Sequence, residues 1–407
     1  ALDDRTTPMV QQSEIKHLPY ITGIAGALGM AVLGNLGTVK MIVIGFQNLA
    51  APGGMLEGAG FLTRLIWTFQ GFIQSLGGAS LPYGVGDWYW LPSRIIPASG
   101  EIEPITEFPF FTVLYADPHA HLFALPVALL AVSFALSIIL ARGRWQNLLA
   151  GIAGFTLGGL VVGALRPTNT WDFYTYLAVG GIAIGYALIA YYRPDQARWN
   201  KLGLVAGLNH RWKKIIVAAG GILIFVAAAF YLYQPYAQWY ALGYTAVDIW
   251  QGTRTPLHAY FLHWGLFLFL IVSWMTWETI DWMASTPVSA LQKLKPYREV
   301  AWLLVLVLLL VTAALGIKLP GTEGLVVGNG VNVAWVVIPL GAWSAVLLLR
   351  PGMSDAKKFV LFLVGSGLVL TLMVEVIVLR GDIGRMNTVF KFYLQVWTIF
   401  AVCGAAA

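Results

Sequence analysis

Charge is scarce in this chain, and so is cysteine. Only 11% of its 407 residues are Asp, Glu, Lys or Arg, against roughly a quarter in soluble domains. A water-facing surface for a chain of this length cannot be assembled from so few charges, so a soluble globular class is excluded. The one cysteine, Cys403, rules out a disulfide within the chain and a thiolate metal cage. No repeat recurs at a solenoid period. The formal charge of +6 does not point to nucleic acid. The cations sit in short loops between apolar blocks, a pattern that orients a membrane protein.

What the chain has in abundance is apolar length. Hydrophobic residues make up 58% of it. They fall in blocks at Tyr20–Phe46, Leu122–Leu140, Leu148–Leu165, Tyr174–Tyr191, Ile215–Tyr233, His258–Met275, Val300–Ile317, Val331–Leu349, Phe359–Leu379 and Val389–Ala405. A helix of roughly 20 residues crosses a bilayer, and only helices or closed barrels satisfy their backbone there. Each block exceeds the length of a membrane β-strand. The expectation is an all-α polytopic transmembrane bundle of about ten spans. The 17 Trp and 17 Tyr suit rings at the lipid–water boundaries.

Alternate loops differ in cations. One set, from Arg5 and Lys16 through Arg142, Arg144, Arg193, Lys214 and Lys295 to Lys358, holds 16 Lys and Arg, and the other holds 7. The rich side is expected in the cytoplasm. Three regions follow: residues 1–46 as a cytoplasmic lead-in and first span, 47–121 as a large outer loop, and 122–407 as about nine further spans with short loops. The outer loop is too long to lack structure of its own. Its stretch Phe61–Ile73 reads as a helix lying in the membrane interface. The chain begins Ala1-Leu2-Asp3-Asp4 and stops in an apolar run at Ala405-Ala406-Ala407. A fragment is expected, with the remaining N- and C-terminal parts of the same protein as its first partners.

The unusual polar residues gather on the outer side. Glu107 precedes Asp117-Pro118-His119-Ala120-His121. In an extended segment Asp117, His119 and His121 project from one face, which suits proton transfer or a divalent metal. The alternative is a polar helix entry capped by Asp117. Arg94, in Ser93-Arg94-Ile95-Ile96-Pro97, can clamp a phosphate or carboxylate, or pair with Asp87 or Glu103. Arg166, Asn169, Trp171 and Asp172 share the turn between the third and fourth spans, where capping is the rival role. Arg254 and His258 mark another helix entry, while His263 further along suits a hydrogen bond within the bundle. Glu375, inside an apolar run, requires a partner. Arg385, Asn387 and Lys391 return to one helical face and suit either an anionic ligand or a salt bridge to Glu375.

Several of these segments carry a resemblance. Gly34-Asn35-Leu36, Ser93–Pro97, Ile105–Phe111, Ala116–His121, Asn169–Phe173, Arg254–His258 and Arg385–Tyr393 occur in this order along nearly the whole chain. Together they resemble the YYY membrane proteins, with Pro118 where that family carries Leu. The resemblance implies kinship with GT-C membrane glycosyltransferases, which take sugar from a polyprenyl-phosphate carrier at the outer membrane face. It implies that the Tyr-Tyr-Tyr segment, with a main catalytic carboxylate, lies before Ala1. On this expectation Glu107, Asp117, His119 and His121 form the catalytic or metal site. Arg94, Arg166, Asn169, Trp171, Asp172, Arg254, His258, Glu375, Arg385, Asn387 and Lys391 then hold substrate. A transporter or flippase of a lipid-linked or anionic solute is the second reading, and a noncatalytic subunit of a larger membrane complex the third.

Overall fold

A computed structural model describes residues 9–97, 102–116, 118–144, 147–195, 199–201, 207–240, 246–287, 289–290, 295–321 and 325–407. Backbone groups in apolar runs can be satisfied only within their own segment, and helix is what these runs form. The longer helices are α1 (Met9–Ala31), α2 (Leu36–Ala50), α3 (Phe61–Leu76), α4 (Pro109–Tyr115), α5 (Ala120–Leu140), α6 (Leu148–Gly163) and α7 (Thr170–Tyr191). They continue as α8 (His210–Tyr231), α9 (Leu257–Ser285), α10 (Arg298–Gly316), α11 (Ala334–Leu348), α12 (Asp355–Val376) and α13 (Met386–Ala406). Among the described residues 8 helices are long and apolar enough to cross a membrane, or 9 if the bent pair α1–α2 is one span. The shorter apolar α11 corresponds to the eighth block.

Three elements differ from the sequence reading. The first apolar block is not one helix but two, bent by 63° at Gly34-Asn35. Asn35 causes the break: its backbone is extended, and its Oδ1 accepts the Gly37 amide at 3.0 Å to start α2 afresh. The sixth block runs on as α9 to Ser285. There the Thr276 and Thr279 hydroxyls donate to the Val272 and Met275 carbonyls, both at 2.8 Å, so these polar residues stay within the helix. The ninth block leaves helix at Val376. Its end, β2 (Ile377–Leu379), pairs antiparallel with β1 (Val247–Ile249).

The chain divides into two compact units. The first comprises Ala1–Asp117, Ala246–Leu347 and Val364–Ala407, and the second Pro118–Thr245 with Leu348–Leu363. In the first, α1 packs on α13, and α9 packs on both α2 and α13. Helix α3 forms where an interfacial helix was expected and lies against α2. A Cβ on Gly71 would stand 1.9 Å from the Phe46 carbonyl oxygen, so only glycine permits this approach. Phe61, Leu62 and Phe69 of α3 are exposed. In the second unit α6 packs on α8, and α7 packs on α5 and α8. Small residues bring these backbones together: a Cβ on Gly159 would meet the Phe225 carbonyl oxygen at 2.5 Å.

Candidate functional site

Arg254, Thr255, Glu375 and Arg385, which lie up to 131 positions apart, meet inside the first unit. Glu375 has no exposed surface and Arg385 is 1% exposed. Arg385 Nη1 donates to Glu375 Oε1 at 2.6 Å and to the Val374 carbonyl at 2.9 Å. The Thr255 hydroxyl donates to the same Oε1 at 2.5 Å, and the Thr255 amide donates to Oε2 at 2.9 Å. Arg254 donates through Nη1 to the Glu375 main-chain carbonyl, and through Nη2 to the Trp250 carbonyl at 2.6 Å. The Arg385 guanidinium also lies 5.6 Å from the Trp250 ring centroid.

Two buried guanidiniums thus lie near one carboxylate, which Arg385 contacts directly while Arg254 holds the main chain of the same residue. Both Nε–H groups, of Arg254 and Arg385, are buried without an acceptor among the described residues. Burial holds the Arg254 guanidinium below its ordinary range; Glu375 opposes that effect and Arg385 adds to it. The short β1–β2 ladder frames the cluster, with Trp250 N donating to the Val376 carbonyl at 2.8 Å. At its exposed end Arg380 donates twice to Asp248, at 2.8 and 3.1 Å, and this bond holds the Asp248 carboxyl below the usual carboxylate range. Asp382 caps α13. It accepts the Asn387 and Thr388 amides at 3.1 and 2.7 Å, along with the Asn387 side-chain amide and the Thr388 hydroxyl. Asn387 therefore works as part of a helix cap, and Lys391, one turn further on, is half-buried.

A second polar group in the same unit surrounds the α1–α2 break. Asn35 Nδ2 donates to the Pro92 carbonyl at 2.8 Å and lies 3.2 Å from His263 Nδ1. Acceptance at Nδ1 leaves the imidazole proton on Nε2, which is buried without an acceptor among the described residues. His263 thus makes the hydrogen bond within the bundle that its position suggests. Next to Pro92, Ser93 and Thr106 are fully buried, and the Thr106 amide donates to the Ser93 carbonyl at 2.9 Å. Arg94 donates to the Ser93 carbonyl and hydroxyl at 2.9 and 2.8 Å, and stacks 4.3 Å from the Trp90 centroid. Burial lowers its affinity for the proton, and the charges of Glu107 and Glu103 oppose the effect. Glu107 accepts the Thr112 hydroxyl. Asp87 accepts the Gly84 amide at 2.8 Å.

Apart from His258, the remaining expected residues belong to the second unit or lie at its border. Asp117 falls outside the described residues. His119 is exposed and His121 buried at the start of α5, their rings stacked with centroids 5.8 Å apart. Among the described residues no group of three or more His, Cys, Asp or Glu could hold a metal ion. Arg166 donates to the Phe230 carbonyl at 3.1 Å and lies against the Phe173 and Phe230 rings. Asn169 stands at the N-cap of α7, with Trp171 beside Tyr174 and Asp172 buried in the first turn. His258, in the first unit, is exposed on the first turn of α9.

Sequence reasoning missed the roles of Thr255 and Trp250 in the arginine cluster, and the bond from Asn35 to His263. Both Asn35 and Thr255 sit in motifs noted from the sequence, and that adjacency was the available signal. No curated protein and no solved structure matches the chain. A family model described as "Uncharacterized membrane protein (DUF2298)" matches residues 6–400. An all-α bundle of apolar helices, with charges buried in pairs and a family match over nearly its full length, makes this chain an integral membrane protein belonging to the uncharacterized membrane protein family DUF2298.

Proposed function

We propose that the chain is a glycosyltransferase of GT-C-like architecture, moving a sugar from a polyprenyl-phosphate donor at the extracytoplasmic face. The observation that carries this reading is the unbalanced charge at Glu375, where two buried arginines have one carboxylate and two spare N–H donors between them. A buried cation in excess calls for an anion, and guanidinium suits phosphate. An acceptor hydroxyl attacks the sugar's anomeric carbon and the bond from that carbon to the phosphate oxygen breaks. The electron pair leaves with the phosphate, where Arg254 and Arg385 stabilise it. The acceptor's proton passes to a base, for which Glu107 is the candidate within the same unit.

The test uses the full chain in proteoliposomes with a radiolabelled polyprenyl-phosphate sugar. Arg254→Gln and Arg254→Lys are expected to lower transfer by about 10²- to 10³-fold, the usual cost of losing one charge-stabilising donor. Polyprenyl-phosphate should raise the melting temperature of the parent protein and leave that of Arg254→Gln unchanged. The exposed Asp248→Asn serves as control. Label that crosses the bilayer without being transferred would instead establish the transporter reading. Equal loss of stability in both arginine variants, with no lipid effect on the parent, would make the cluster purely structural.

A further inference from the structure

The loop ends on the cation-rich side of the second unit form a site that the proposed transfer does not use. Arg142, Gly143 and Arg144 follow α5; Ala190 and Tyr191 end α7, and Tyr192 and Arg193 follow it; Lys214 lies in the first turns of α8. Together they line a cavity of about 370 Å³. Its wall is built rather than incidental. Arg142 holds a left-handed backbone, φ 46°, which is uncommon and costly for a side-chain-bearing residue. Gly143, φ 74°, runs so close to α7 that a Cβ there would meet the Tyr191 carbonyl oxygen at 3.0 Å.

Beside this basic cavity lies an apolar one. Ile139, Ile182, Ala183, Leu348, Phe359 and Phe362 surround about 280 Å³, with Lys358 among the lining residues. Asp355, in the wall of the apolar cavity, bonds to Arg142 and Tyr191 of the basic one. That carboxylate is 5% exposed and accepts Arg142 Nε at 2.9 Å, the Tyr186 hydroxyl at 2.8 Å and the Tyr191 hydroxyl at 2.5 Å. Asp355 is therefore consumed in orienting Arg142 and two tyrosines, and it neutralises one cation of the four. Lys214 spends donors on the Ile189 and Ala190 carbonyls, at 2.9 and 3.4 Å, which fixes its ammonium at the end of α7. Arg144 and Arg193 are exposed, and Asp195 is the exposed acid of the same loop.

We infer that the second unit binds an anionic phospholipid, its phosphate headgroup held by Arg144, Arg193 and Lys214 and an acyl chain laid in the cavity lined by Ile139, Ile182 and Phe362. Charge and shape agree on this occupant. Three cations with no carboxylate partner among the described residues face one cavity, and an apolar cavity lies beside it. Basic pockets between membrane helices are where anionic headgroups collect. A free phosphate would use the cations and leave the apolar cavity without a purpose.

Detergent-solubilised full chain is titrated with dioleoyl phosphatidylglycerol, dioleoyl phosphatidylcholine or inorganic phosphate, with binding read by native mass spectrometry and stability by thermal melting. Phosphatidylglycerol is expected to bind in a discrete step and raise the melting temperature, while phosphatidylcholine and phosphate do neither. Arg144→Gln with Arg193→Gln should weaken phosphatidylglycerol binding about 30-fold, roughly fivefold per charge lost, without lowering the melting temperature in its absence. Lys295→Gln, an exposed cation of the first unit, should change nothing. Equal binding of both lipids, unaltered binding by the double variant, or the same stabilisation from inorganic phosphate would each overturn the inference.

Discussion

A carboxylate without exposed surface survives inside an apolar helix only where donors replace its lost water. Glu375 has Arg385, the Thr255 hydroxyl and the Thr255 amide for this purpose. Removing one member of such a pair leaves the other charge buried and costs about 3–5 kcal/mol. Glu375→Gln should therefore lower the melting temperature sharply, because it strands both Arg254 and Arg385. Arg385→Gln should cost less, since Arg254 remains close to the carboxylate. The double variant Glu375→Gln, Arg385→Gln should recover part of the loss, which melting curves of the three variants would reveal. Losses that simply add would mean that the two side chains do not act as a pair. Glu375's need for a partner was legible in the sequence, as was Arg385 as a candidate. Arg254 as the second cation was not, because nothing in spacing connects two residues 121 positions apart.

At the scale of elements, apolar length proved a sound guide to helices and a poor one to their ends. The block Phe359–Leu379 reads as unbroken helix, yet Ile377–Leu379 turn to strand because Val247–Ile249 offer them a partner. That partner is distant in sequence, and Ile and Val are as apolar in a strand as in a helix. The α1–α2 break was likewise hidden, since Gly34-Asn35 is two residues inside a long apolar run. Once the break is seen, Asn35 has three tasks: it caps α2, holds the Pro92 carbonyl and meets His263. Asn35→Ala loses all of them. The cap alone is worth about 1 kcal/mol, and the stranded carbonyl adds about 1–3 kcal/mol. Asn35→Asp keeps the cap but cannot donate to Pro92 or His263, so it should fall short of the parent and exceed Asn35→Ala in melting temperature. A ranking in which Asn35→Asp matched the parent would leave the cap as the residue's whole contribution.

For the molecule as a whole, the Lys and Arg imbalance is the basis for orientation, with 16 in one set of loops and 7 in the other. The lone thiol, Cys403, is fully buried, so a Cys403→Ala background is a modest change that removes any background labelling. In that background Tyr115→Cys and Thr168→Cys should react with an impermeant maleimide in intact cells, and Lys201→Cys only after the cells are opened. The reverse pattern would move the arginine cluster's loops to the cytoplasm and exclude a donor presented from outside. The arginine cluster also has a consequence in time. At about 5–20 residues per second of synthesis, Arg254 leaves the ribosome on the order of 6 to 24 seconds before Glu375, which follows it 121 residues later. Arg385 trails Glu375 by only 10 residues, so those two arrive almost together. For that interval the segment leading into α9 carries an arginine whose carboxylate has not yet been made. The helix must wait at the membrane surface or enter with its charge held in water. The nascent chain cannot close this part of its interior until α12 and α13 are being made.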